Sequence, residues 1–476
     1  MKLKHKIVGG VVWNSIGLVI DNGLDMLVKL ILARLLLPKD FGIIGFAVVF
    51  MGMIKVFSDM GMSAALIQRK EEHLKPIDYD TAFWAGIAWG LFLAAITTFI
   101  VTPISVSFFN QPLLRSIIPV LSINFVLKPL ANVHVVNITR ELDFKKIVLP
   151  RNISRITASI IAIIMALTGF GVWSLVFQRV LTNIFLVILY SFVSPWRPKM
   201  RYSFTSFKKI FSFGVYTTGT KVFNYLTGNI DYLLIGKMLG ANPLGVYTLA
   251  YNVTYVVRGQ IMNVINKVFF PVYSIIQDDL TTIKRYYFKV IKYNCIMTYP
   301  IMIGIILLAK PLVLFGLGEK WINAITPMRL MAGAGLVHLL TISNTTLLRG
   351  IGRPRLEMIM SVIKTLCVTV PFIIIGVIYA GINGAAAGLL GAKIVIFFIN
   401  NITLRKVASI KFIEILDVGG GLFALTIITV ISSAFIKDYL ILSVIFVIYL
   451  IIHFLISFKD IKQILLLYKK RKIADK

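Results

Sequence analysis

Two cysteines in 476 residues exclude a disulfide framework and a thiolate metal site, and both Cys295 and Cys367 lie inside apolar runs, as small buried hydrophobes would. Charge is scarce as well: 15% of residues are charged, with 20 acidic against 50 Lys and Arg. No polar stretch is long enough for a soluble domain, and no Gly-rich phosphate loop ending in Lys and Ser or Thr occurs, so nucleotide hydrolysis is not indicated. The apolar run after Lys6 has no small-residue cleavage site and is interrupted by Asp21, Asp25 and Lys29. It is therefore expected to stay as a first helix and not to be removed as a signal peptide.

What is present is apolar length. The chain is 58% hydrophobic with a mean hydropathy of +0.86. A helix needs roughly 20 apolar residues to cross about 30 Å of hydrocarbon, which fits an all-α polytopic membrane protein with about 14 transmembrane helices. Spans are expected over 8–36, 41–67, 81–102, 117–137, 150–168, 173–193, 212–238, 244–270, 290–310, 326–348, 359–379, 384–403, 415–436 and 439–457. Connectors on one side are minimal and turn-forming, as in Leu37 to Asp40, Gly169 to Gly171, Leu239 to Pro243 and Ala380 to Asn383. Connectors and tails on the other side hold 31 Lys and Arg, against five (Lys39, Arg115, Lys310, Lys320, Lys437) on the short side. Positive charge is retained in the cytoplasm, which puts both termini there and makes the number of crossings even.

An internal repeat is visible at an offset of 203 residues: Arg34, Leu36, Phe41, Gly42 and Ala47 recur as Lys237, Leu239, Leu244, Gly245 and Ala250. Both copies start on the cytoplasmic side, so the repeat is parallel. The expected division is an N-lobe of six helices over 1–193, a cytoplasmic linker over 194–211 with Pro195 and Pro198, a C-lobe of six helices over 212–403, and helices 13 and 14 with a basic tail over 404–476. The tail from Lys459 to Lys472 fits a membrane-surface segment held by anionic lipid.

Thirteen basic residues inside the spans and away from the connectors stand out: Lys29, Arg34, Lys55, Lys128, Arg179, Lys221, Lys237, Arg258, Lys267, Lys292, Arg329, Lys364 and Lys393. Four acidic ones accompany them: Asp21, Asp25, Asp59 and Asp231. A central charge facing lipid costs about 2.5 to 3.5 kcal/mol, so such a set is expected to face protein or water, with those near helix ends snorkelling. Spacing of three or four puts Asn14, Asp21, Asp25 and Lys29 on one face of the first helix. The same holds for Lys221, Asn224, Tyr225, Gly228 and Asp231 in the seventh, Tyr247, Tyr251, Tyr255 and Arg258 in the eighth, and Asn124, Lys128 and Asn132 in the fourth. The alternative for each stripe is interhelical hydrogen bonding. A cationic, tyrosine-lined cavity shared by both lobes favours an anionic sugar-phosphate cargo and repels organic cations. Candidate cavity residues are Lys29, Arg34, Lys55, Lys128, Lys221, Tyr251, Tyr255 and Arg258. Candidate sites for coupling to a Na+ or H+ gradient are Asp21, Asp25, Asp59 and Asp231, whose simpler role is pairing with Lys29 or Lys221. Prolines 103, 119, 129, 271, 300, 327 and 371 mark expected kinks or helix ends. No resident cofactor or metal is expected, and no catalytic residue.

The run from Ala33 to Gly42, then Asp59, Met60, Gly61, Ile67, Gln68 and Arg69, the echo from Gly240 to Tyr247, and Arg349 to Pro354 carry a resemblance. The chain resembles the polysaccharide-export branch of the multidrug/oligosaccharidyl-lipid/polysaccharide superfamily, including Wzx-type flippases and teichuronic acid exporters. The resemblance implies two six-helix bundles that move an undecaprenyl-diphosphate-linked oligosaccharide from the inner to the outer leaflet of a bacterial cell membrane by alternating access. It also implies a cavity lined by the first two helices of each lobe, here containing Asp25, Lys29, Lys55, Lys221 and Arg258. Expected partners are the lipid-linked oligosaccharide, membrane lipids, and a polymerase or glycosyltransferase, with no nucleic acid. The alternatives are a lipid II flippase of the same architecture and a cation-coupled drug antiporter, for which acidic residues should dominate the core.

Overall fold

Residues 2–58, 62–69, 74–208, 225–277, 279–418, 420–434, 436 and 438–474 are described by a computed structural model. Among them every regular element is helical. Eight helical runs are long and apolar enough to cross a membrane, and one of them, Pro354–Ala408, turns back on itself at Ala380 and Gly381. Helices of 34 and 35 residues, Lys2–Leu35 and Ala241–Ile275, also have the length. Large apolar side chains face outward, among them Phe99, Phe315 and Leu440, which are 78, 83 and 79% exposed, as a lipid-facing surface requires. The chain is an all-helical, multi-pass membrane protein.

It divides into two compact units, Met1–Gly245 and Val246–Lys476. The first contains α1 (Lys2–Leu35), α2 (Pro38–Lys55), α3 (Met62–Gln68), α4 (Pro76–Ile96), α5 (Thr102–Phe109), α6 (Leu114–Ser122), α7 (Asn124–Arg140), α8 (Lys145–Leu167), α9 (Val172–Val193) and α10 (Ile230–Leu239). The turn into α2 explains its sequence: Pro38 sits at the first helical position, and Asp40 accepts the Leu37 amide at 3.0 Å. Gly42 then lets the carbonyl of Ala241 approach, where any Cβ would collide, and Gly245 does the same for the carbonyl of Pro38. The expected fourth span breaks at Ile123 between α6 and α7. Pro129 leaves the carbonyl of Phe125 without its helical donor, and Gly90 of α4 packs against that carbonyl.

The second unit takes in the larger part of α11 (Ala241–Ile275), then α12 (Leu280–Pro311), α13 (Ile325–Leu339), α14 (Ser343–Gly350), α15 (Pro354–Ile363), α16 (Val370–Ala408), α17 (Phe412–Val418), α18 (Gly420–Ala434) and α19 (Tyr439–Ala474). Asp279 starts α12 by accepting the amides of Thr281 and Thr282 at 3.0 Å each. Two hairpin tips share one backbone shape: Gly171 has φ 52° and ψ −129°, and Gly381 has φ 54° and ψ −129°. Side chains rarely adopt that conformation, so glycine recurs at both.

Prolines do more than kink helices here. Pro103, Pro311 and Pro371 each adjoin a widened π turn: Thr97–Val101, Leu312–Leu317 and Lys364–Thr369. Thr102 and Thr369 each donate a hydroxyl to the carbonyl five residues back, at 2.9 and 3.0 Å. Cys295 is buried, but Cys367 lies on the exposed side of its π turn, which corrects the expectation of two buried thiols. The tail beyond Lys459 continues α19 as helix, and most of its side chains lie outside the described residues.

Candidate functional site

In the first unit the polar face of α1 is largely neutralised by neighbours. Asp25 pairs with Lys29 at 2.8 Å, the spacing of four expected for an ion pair within a helix, and Arg179 of α9 is within electrostatic range of Asp25. Asp21 is 7% exposed. It takes Arg151 at 2.6 Å and Arg155 at 3.5 Å from α8, and Arg155 also donates to the Asp21 main-chain carbonyl at 2.9 Å. Two guanidinium groups on one carboxylate leave a net positive site. Arg155 lies inside the fifth expected span and is a further cation that the charge inventory passed over. Its spacing of four from Arg151 is the signal that could have found it.

The other candidates in this unit are spread out. Lys55 is exposed at the last turn of α2, where a cation suits the helix end, and Arg34 is exposed in the last turn of α1. Lys128 is half-buried on α7. Its stripe neighbour Asn124 accepts from Asn183 at 2.8 Å and donates to the Leu121 carbonyl, which is the interhelical hydrogen-bonding role. Asp231, 7% exposed, accepts the Tyr232 amide at 3.0 Å. Lys237 donates to the Phe108 carbonyl at 2.7 Å, satisfying the C-terminal end of α5. Lys221 and Asp59 lie outside the described residues.

In the second unit the tyrosine stripe of α11 forms a ladder. The rings of Tyr247 and Tyr251 are 6.2 Å apart at 20°, and those of Tyr251 and Tyr255 are 4.8 Å apart at 15°. The Arg258 guanidinium closes the ladder 5.1 Å from the Tyr255 ring. Exposure rises along it, from none at Tyr247 to 38% at Tyr255. Arg258 itself is 7% exposed, and its Nε has no hydrogen-bond partner among the described residues. Its Nη1 fills the space beside Gly335, where a Cβ would sit 2.8 Å away. One turn further along α13, His338 feels the charges of Lys393, Arg258 and Lys364, and its Nδ1 also lacks a partner among the described residues. Lys364 opens the π turn before α16. Arg258, Lys364 and Lys393 are thus all within electrostatic range of one histidine, which the sequence did not single out because a lone His carries no spacing signal.

No group of three or more His, Cys, Asp or Glu side chains able to hold a metal occurs among the described residues. What the clusters offer is positive charge, half-buried in the first unit and buried at Arg258 in the second, where a stacked aromatic surface lies beside it. That combination suits phosphate oxygens and sugar rings.

Known proteins can be compared with this arrangement. The chain is 27% identical over 401 residues to the lipopolysaccharide biosynthesis protein WzxC of Escherichia coli (strain K12), covering 83% of this chain and 80% of that one. It is 24% identical over 386 residues to the succinoglycan biosynthesis transport protein ExoT of Rhizobium meliloti (strain 1021), covering 80% and 75%. In fold it is similar to the lipid II flippase MurJ in an inward closed conformation, with a TM-score of 0.71, 15% identity, and coverage of 95% and 100%. Residues 31–326 match the profile described as polysaccharide biosynthesis protein. With more than half of its length under that profile, the chain belongs to the polysaccharide biosynthesis protein family.

Proposed function

We propose that the chain is a flippase that carries a lipid-linked oligosaccharide, joined through a diphosphate, from the cytoplasmic to the outer leaflet of a bacterial cell membrane by alternating access. Its relatives include a lipopolysaccharide biosynthesis protein and a succinoglycan transport protein, and its fold is similar to that of a lipid II flippase. The observation that carries the reading is Arg258: a guanidinium 7% exposed, with no partner at Nε among the described residues, and continuous with a tyrosine ladder that becomes exposed beside it. Leaving a buried cation without an acceptor costs more than a hydrogen bond returns, so an arriving anion would be strongly held. Among the described residues it is Tyr251 and Tyr255, and not the carboxylates expected in the core of a drug antiporter, that act on this guanidinium.

In this proposal both termini are cytoplasmic, the lipid tail stays in the bilayer, and a polysaccharide polymerase or glycosyltransferase works on either side of the transport step. Coupling to a Na+ or H+ gradient through Asp21, Asp25, Asp59 or Asp231 belongs to the same proposal. Asp21 and Asp25 already hold Arg151 and Lys29, so an ion binding there has to displace a guanidinium or an ammonium. The test is to delete the gene and locate the lipid-linked oligosaccharide. Accumulation on the cytoplasmic leaflet supports export, whereas normal surface display with altered drug tolerance overturns it.

A further inference from the structure

Pro300 has no amide hydrogen, so in α12 the carbonyl of Ile296, four residues earlier, loses its helical donor. Ile296 is only 8% exposed, which leaves little room for water to replace that donor. The imidazole of His453, on α19, takes the position instead, with Nε2 3.0 Å from the Ile296 carbonyl oxygen. A carbonyl only accepts, so Nε2 must carry the hydrogen and Nδ1 is left as an acceptor. The Tyr449 hydroxyl, one turn earlier on α19, lies 3.4 Å from Nδ1, and the Thr426 hydroxyl of α18 lies 3.2 Å from the Tyr449 oxygen. Thr426 thus donates to Tyr449, Tyr449 to His453, and His453 to Ile296. Thr426, Tyr449 and His453 are 4, 1 and 5% exposed, so the chain is sealed from solvent.

Two further contacts put α12 and α19 in antiparallel register around this point. Lys292 pairs with Asp460 at 2.8 Å, and Gly304 accommodates the Phe446 ring, 2.9 Å from where a Cβ would sit. Neither contact answers the missing donor at residue 300. His453 alone among the described residues does so.

We propose that His453 is a positioning residue that stands in for the amide Pro300 lacks, so that the bend in α12 is held from α19 and the segment 420–474 is fixed to α12 as one body. The two helices beyond the repeat then act as a brace on the bend and not as a passive extension. This assignment is independent of the cargo.

The test is a double-mutant cycle on the full-length protein in detergent, read as the thermal unfolding midpoint and, in cells, as surface polysaccharide. His453→Ala should lower the midpoint by about 2 °C or more in the native background. In a Pro300→Ala background, where residue 300 again has an amide for Ile296, the same change should have little effect. Equal losses in both backgrounds would overturn the proposal. If Pro300→Ala does not yield folded protein, His453→Gln and His453→Leu decide it. Gln can still donate to the carbonyl and should retain the midpoint and export, while Leu fills the space without a donor and should lose both. Equal behaviour of these two also overturns it.

Discussion

Gly42 and Gly245 make reciprocal contacts: each leaves its Cα open to a carbonyl of the other hairpin, Gly42 to that of Ala241 and Gly245 to that of Pro38. Gly42 and Gly245, and likewise Pro38 and Ala241, are separated by the offset of 203 at which the sequence repeats. The close approach is therefore built twice from one motif. Gly42→Ala and Gly245→Ala should each destabilise the protein by about 1 to 3 kcal/mol, because the obstruction is main chain and cannot rotate away. Gly23→Ala, with nothing near the added carbon, is the matched control. Unfolding midpoints in detergent compare the three, and similar values for all of them would show that the hairpins part without cost.

Removing the carboxylate from Asp21 leaves Arg151 and Arg155 facing each other across a half-buried space. Asp21→Asn is expected to cost about 1 to 3 kcal/mol, and the cost should shrink when Arg151 is also replaced by Gln. A cycle in which the two changes simply add would show that the pair contributes no coupling.

Arg258 gives a prediction about transport rather than folding. Arg258→Gln removes the charge but keeps a hydrogen-bonding side chain beside Gly335, and export of the lipid-linked oligosaccharide should fall at least about tenfold, equivalent to losing roughly 1.4 kcal/mol of cargo binding. Tyr255→Phe, which keeps the ring under the guanidinium, should be much milder than Tyr255→Ala. Export unchanged in Arg258→Gln, with normal amounts of protein in the membrane, would remove the anion site.

Glu414 supplies the pH dependence. Its carboxylate accepts from Lys284 and from the Lys411 amide at 2.8 Å, and the Lys284 hydrogen bond is the main cause holding its pKa below the usual carboxylate value. A depressed folded value means the contribution is complete above the unfolded pKa of about 4.3 and is lost as pH falls through the folded one. The stability difference between the native chain and Glu414→Gln should accordingly stay flat from neutral pH down to about 5 and close in more acidic solution. A gap that widens on acidification would reverse the sign.

Helical class, membrane passage and the first hairpin could be read from the sequence because each rests on local signals: apolar length, Pro and Asp at the start of α2, and Gly42 beyond them. The pairing of Lys29 with Asp25 was equally local. The partners of Asp21 were not, since Arg151 sits 130 residues away in the chain. His338 and His453 escaped notice for the same reason: what matters about each is which distant helix it meets. Cys367 was misjudged because an apolar neighbourhood in the sequence says nothing about which side of a membrane helix a residue occupies.

A π turn contains one residue more than the α-helix it interrupts. At Lys364–Thr369 the widened turn absorbs that extra residue, so the helix that follows keeps the phase it would have without it. Deleting one residue within the turn should therefore return it to ordinary α geometry while Ile373 and Val377 stay buried and Ile375 and Ile378 stay outward. The seam between Gly376 and Gly384, which needs that phase, should accordingly tolerate the loss of one residue within the turn far better than the loss of one beyond it.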